Sequence, residues 1–333
     1  MGQTRAALGA AVALLALWSC DPTSARDGSA PLVLERTILL PGVSGRIDHV
    51  VVDAAKGRLF VAELGNGSVE AIDLASGRSL GRIAGLKEPQ SLGYLPARDE
   101  LAVATGGDGM VRFYRATDLA LVGSIPLDDD ADNVRVDPES GMVVVGYGGG
   151  ALAVIDPAVR KVVRKIPLPA HPEGFQLAGD RVWINLPDAG LVLAADLATG
   201  RETARWPNGG PKFNFPLALE SSAQRFAVVY RLPAKLVLRD AASGAVQQSL
   251  DTCGDADDAF FDDARHRLYV ICGGGAVDVF DDRRTGFIHV GRVATRRGAR
   301  TGFYSSKLDR LFVATRAGPL SQSAAILVLR PAP

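Results

Sequence analysis

Two acidic strings, Asp130-Ala-Asp132-Asn133 and Asp255-Ala-Asp257-Asp258, repeat one pattern at distant points of the 333-residue chain, and Asp48-His49 adds a third carboxylate beside an imidazole. Carboxylates brought together from separate segments can hold a cation or a positively charged ligand, and closely spaced ones raise each other's pKa. Arg46, Lys212, Arg296, Arg297 and Arg300 carry the opposite charge, so these residues alone do not fix the sign of a ligand. The run Asp128 to Glu139 has acids at the spacing of a calcium loop but lacks the glycine its sharp turn requires. No Gly-x-Ser-x-Gly elbow, P-loop, His-Glu-x-x-His or dinucleotide fingerprint occurs, and the four histidines are scattered. The motif scan therefore predicts no cofactor, and a divalent cation on the carboxylates is the one inorganic ligand these residues would admit.

Any site must then be assembled by the fold, and a repeat governs the fold. Apolar, β-rich strings begin at Leu59, Leu101, Val143, Val182, Phe226, Leu268 and Leu311, at spacings of 42, 42, 39, 44, 42 and 43 residues. A second strand follows each string after a Gly-rich or polar turn, a shorter strand precedes it, and a further strand closes the unit. Four strands per period, rich in β-branched residues and without a helical apolar stripe, make a propeller blade. The sequence predicts an all-β, seven-bladed propeller over residues 32–333, with blades near 45–86, 87–129, 130–171, 172–211, 212–254, 255–298 and 299–333. Blade seven runs short of its fourth strand, which Leu32 to Leu40 is expected to supply. Such closure joins the ends of the ring and protects its edges.

The blade phase places the candidate residues. Loops leading into the innermost strands converge at the mouth of a central channel, where propellers hold ligands. Those positions carry Arg46, Asp48, His49, Glu88, Asp132, Asn133, Glu173, Asn214, Asp257, Asp258 and Arg300 as ligand-binding candidates, none assigned a catalytic role. The same phase brings Cys253, just before an innermost strand, to the rim where Cys272 ends the next one, and a disulfide is expected between them.

Residues 1–19 read as a secretory signal peptide: Arg5 precedes an apolar core from Ala6 to Trp18 that is too short to span a membrane. Leu17-Trp18-Ser19-Cys20 resembles a lipobox, which implies lipidation of Cys20. The other reading is ordinary cleavage nearby, with Cys20 discarded or left as a free thiol. Residues 20–31 have the composition of a flexible tether. A periplasmic, membrane-anchored lipoprotein is expected, touching the membrane only through its lipid. The formal net charge is zero, which removes the footprint of a phosphate-binding surface, so nucleic acid is not an expected partner.

The segments LFVAELGNGSVEAIDLASGRSLGRI (Leu59 to Ile83) and LYVICGGGAVDVFD (Leu268 to Asp281) resemble the YVTN-type β-propeller repeat. The resemblance implies the seven-bladed fold and leaves function open, since similar proteins bind surfaces or small molecules, carry a haem domain or act as lactonases. The favoured expectation is a monomeric binding or scaffold protein that recognises a small molecule or protein at the channel mouth. The alternatives are a metal-dependent, lactonase-like hydrolase and an accessory of a periplasmic electron-transfer or cofactor-dependent system.

Overall fold

The computed structural model describes residues 30–127, 129–318 and 322–333. The expected signal peptide, Cys20, most of the tether and Asp128 lie outside the described residues. The strands form seven four-stranded antiparallel sheets in a ring, as the period predicts. The innermost strands are Val50–Asp53, Pro89–Leu95, Ala131–Val136, Phe175–Ala178, Lys212–Leu219, Ala256–Asp262 and Gly302–Ser305. Blade seven runs outward from Gly302–Ser305 through Arg310–Thr315 and Ala324–Pro331, and Leu32–Leu40 supplies its outermost strand, pairing Leu32 with Pro331 and Leu40 with Ala324.

The core is divided among the seams between blades. One apolar cluster joins Leu59 and Val61 of blade one to Phe312 and Ile326 of blade seven; another joins Tyr269 and Val277 of blade six to Leu311 and Val313 of blade seven. The closing strand feeds both seams, with Ile38 and Leu40 in the first and Leu32 in the second. Each blade buries both faces against its neighbours, which is why its second strand reads as a continuous apolar run, unlike the alternation of a half-exposed sheet.

Turn chemistry explains the aspartates that close the third strands. Asp73, Asp196 and Asp240 accept backbone N–H bonds three residues on, from Ser76 at 2.7 Å, Thr199 at 2.6 Å and Ser243 at 2.7 Å. The next residue is a glycine at positive φ, Gly77, Gly200 or Gly244, where a side chain would be strained. Cys253 and Cys272 form the expected disulfide, buried in the seam between blades five and six.

Candidate functional site

Backbone register sets the layers of the channel. The residues that enter each innermost strand form a mouth, and below it one ring of positions pairs with the second residue of each apolar string. That ring comprises Val51, Gly93, Arg135, Gln176, Ala218, Phe260 and Phe303, opposite Phe60, Ala102, Val144, Trp183, Ala227, Tyr269 and Phe312. Six of the seven line one cavity of about 400 Å³ in the channel, and Ala218 lines the pocket beside it.

The mouth gathers several candidates. His49 Nδ1 lies 3.4 Å from Asp258 Oδ2, and the same oxygen accepts the Gly302 N–H at 2.8 Å, so blades one, six and seven meet at this carboxylate. Thr301 Oγ1 donates to the Asp48 carbonyl at 2.8 Å, and Arg46 pairs with the buried Asp48 side chain at 2.9 Å. Asp257 pairs with Arg231 at 2.6 Å, and Arg231 in turn lies over the Phe215 ring at 3.8 Å. Arg300 reaches Asp255 at 3.2 Å and stands 3.9 Å from Asp257. Asp132 accepts the Asn133 N–H at 2.6 Å and has no cation within ion-pair distance among the described residues. His49, Asn133, Arg135, Glu173, Asp257 and Asp258 together line a constriction of about 20 Å³ between the mouth and the cavity.

Two candidates serve elsewhere. Asn214 is fully buried, accepts from Asn208 at 2.8 Å and donates to the Leu191 carbonyl at 3.1 Å, which ties blade five to blade four. Glu88 has an exposed side chain, and its role in the structure is through its backbone: φ is positive and its carbonyl accepts the Gly106 N–H at 2.9 Å.

Electrostatics at the mouth follow from burial and crowding. Burial alone would lower the His49 pKa, but the charges of Asp258, Asp48 and Asp132 outweigh it and push the imidazole up to about 10, so it is a cation at neutral pH. Burial, reinforced by Asp132 and Asp257, pushes Glu173 up to about 8. Burial raises Asp132 too, with the Asp48 charge adding to it, and raises Asp257 against the pull of Arg231 and His49. The arrangement can receive a cationic group or donate a proton from a neutral carboxyl. Among the described residues no three His, Cys, Asp or Glu side chains gather into a set that could hold a metal ion.

Sequence reasoning passed over Arg135, Arg231 and the aromatic residues Phe260 and Phe303. Arg231 ends a second strand that is extended to Arg225–Leu232 and so reaches the mouth of the next blade. Arg135 sits within an innermost strand between two valines, where an arginine signals that the strand faces water or a ligand on one side.

No protein-family model matches this chain. No curated protein matches it either. Solved structures do: the WD40 repeats of RRP9 superimpose with a TM-score of 0.77 at 12% identity, covering 91% of this chain and 99% of that one. Hydrazine synthase from Kuenenia stuttgartiensis gives 0.75 at 16% identity, covering 89% and 99%, and U3-55K gives 0.75 at 11%, covering 88% and 98%. At these identities the likeness is one of fold: the chain is a seven-bladed β-propeller.

Proposed function

We propose that this chain is an exported, YVTN-type propeller that acts by binding, and that it recognises a cationic group of a small molecule or protein at the channel mouth. The observation that carries the reading is the convergence of Asp48, Asp132, Glu173 and Asp257 from blades one, three, four and six on one constricted opening, with Asp132 lacking a cation of its own. An arriving ammonium or guanidinium would take up the charge that burial now opposes. The alternative of a metal-dependent hydrolase finds no donor set among the described residues on which to build, and a propeller mouth supports binding without further machinery.

The test is a thermal-shift screen of the mature protein against polyamines, organic cations and basic peptides, followed by calorimetry on the hits. Asp132→Asn and Asp257→Asn, made singly and together, should each weaken the hit by about tenfold or more. Groups acting on one ligand are non-additive, so the double variant should lose little beyond the worse single one. Wild-type affinity in all three variants, with folding intact, would place the working face elsewhere.

Export and anchoring belong to the same proposal. They are supported by the basic and apolar leader and by Leu17-Trp18-Ser19-Cys20. Cys20→Ala is expected to move the protein from the membrane fraction to the soluble periplasmic fraction, or to block its maturation, because removing the acyl chains removes the anchor. Membrane association that survives this change would rule the anchor out.

A further inference from the structure

Below the constriction the channel changes character. In the ring of seven innermost-strand positions, Arg135 is the one charged residue; Gly93 on one side lies close against the Val134 and Val136 side chains, and Gln176 stands on the other. Phe260 and Phe303 stand three and four blades around the ring, across the channel from Arg135. They pack on each other with centroids 6.3 Å apart. Tyr94 and Tyr304 extend the aromatic wall toward the face opposite the mouth, and each is fixed from behind: the Tyr94 hydroxyl donates to Asp99 at 2.9 Å, and the Tyr304 ring packs edge-on against Tyr269 at 5.3 Å. The chamber thus joins preformed aromatic surface to the Arg135 cation, with the His49–Asp258 pair at its mouth end.

That cation is met only at a distance, by the charges of Asp258 and Asp132. The Arg135 guanidinium donates to the carbonyl of its own neighbour Val134 at 2.8 Å and has no carboxylate within ion-pair distance among the described residues. Nearby Asp258 is engaged by His49 and the Gly302 amide. Burial lowers the Arg135 pKa, outweighing the more distant charges of Asp258 and Asp132, which raise it. The guanidinium lies over the Phe175 ring at 5.4 Å and lines the cavity, and a planar guanidinium fits a carboxylate with two parallel bonds.

We propose that the chamber binds a planar aromatic carboxylate, its acid group on Arg135 and its ring against Phe260, Phe303 and Tyr304. The cavity of about 400 Å³ falls in the size range of small-molecule sites. The acid enters from the face opposite the mouth, because the Asp257 and Asp258 carboxylates at the constriction repel an anion. Of the two pockets adjoining the chamber on the opposite face, one is lined by Tyr94, Pro96, Tyr304 and Lys307 with Asp53 as its acid, and the other carries Asp262 and Asp263; the first is the route for an anion. This inference rests on reading the channel as a binding site and assigns its lower half a ligand of opposite charge to the one at the mouth.

Calorimetry with naphthalene-2-carboxylate and its neutral amide tests it on the mature protein. The carboxylate is expected to bind at least about tenfold more tightly than the amide, the margin one charge-assisted pair commonly supplies. Arg135→Gln should abolish that preference while leaving amide binding unchanged, which also reports that the chamber is still folded. Arg135→Lys should keep part of the preference, and Phe303→Ala should weaken acid and amide alike. Equal affinity for acid and amide in the wild type, an Arg135→Gln variant that binds the acid normally, or no binding of either probe would each overturn the proposal. The mouth reading fails on different evidence, namely cationic hits indifferent to Asp132→Asn and Asp257→Asn, so the two stand or fall separately.

Discussion

Deletion of residues 30–43 is expected to abolish the cooperative thermal transition of the folded ring, or to lower its midpoint by well over ten degrees. The closing strand contributes Leu32, Ile38 and Leu40, all nearly fully buried, to the two seams that flank blade seven. Burying an aliphatic side chain of this size is worth about 1.5–3 kcal/mol, and three of them approach the roughly 5–15 kcal/mol that holds a whole domain folded. The strand is also held by polar groups: Arg36 donates to the Leu74 and Ala75 carbonyls of blade one at 2.8 and 3.0 Å, and Glu35 pairs with Arg310 within blade seven. Without it, Ala324–Pro331 becomes a free edge open to pairing with other chains. A milder pair of variants separates closure from general damage. Ile38→Ala and Leu40→Ala should each cost about 2–5 kcal/mol in denaturant titration, and a synthetic peptide of residues 30–43 should restore the transition to the deleted protein. Unchanged melting of the deletion would mean that the ring closes without this strand.

That strand was legible from counting alone, because seven apolar strings at near-constant spacing left the last unit one strand short and the chain ahead of the first unit had one to spare. The disulfide was legible for the same reason: blade phase fixes which strand ends share a rim. The site was legible only in outline. Asp130-Ala-Asp132-Asn133 and Asp255-Ala-Asp257-Asp258 do occupy equivalent places, yet their surroundings diverge. Asp257 receives Arg231 from the end of a lengthened strand, Asp258 receives His49 from across the channel, and Asp132 receives neither. Phase along the chain predicts which loop a residue joins, whereas its partner depends on side-chain reach between blades. Asn214 shows the same limit, since Asn208 in the preceding turn draws it into the wall. One arginine in a strand is ordinary by sequence, and Arg135 becomes the one charged member of its ring only through the register of all seven blades.

The pH dependence of stability is expected to carry the signature of Glu173. Burial, with Asp132 and Asp257 close by, raises its folded pKa to about 8 from an ordinary value of 4.5. Between those values the unfolded chain has lost the proton that the folded chain retains. Folding therefore costs more as pH climbs through this window, and stability falls from about pH 4.5 to about pH 8 before levelling. His49, raised to about 10 from 6.5, stabilises most fully below pH 6.5, and that contribution is lost as pH rises toward 10. Each unit of displacement corresponds to about 1.4 kcal/mol at most, so the Glu173 effect amounts to a few kcal/mol. Glu173→Gln should leave stability nearly unchanged at pH 4 and raise it at pH 8.5, flattening the lower leg of the profile, while the upper leg set by His49 remains. A variant whose profile parallels the wild type from pH 4.5 to 8 would show that Glu173 ionises freely. The same proton bears on binding: a cation seated at the mouth should lower the Glu173 pKa and release its proton. Binding enthalpy at pH 7 should then vary with the ionisation enthalpy of the buffer, and that dependence should vanish in Glu173→Gln.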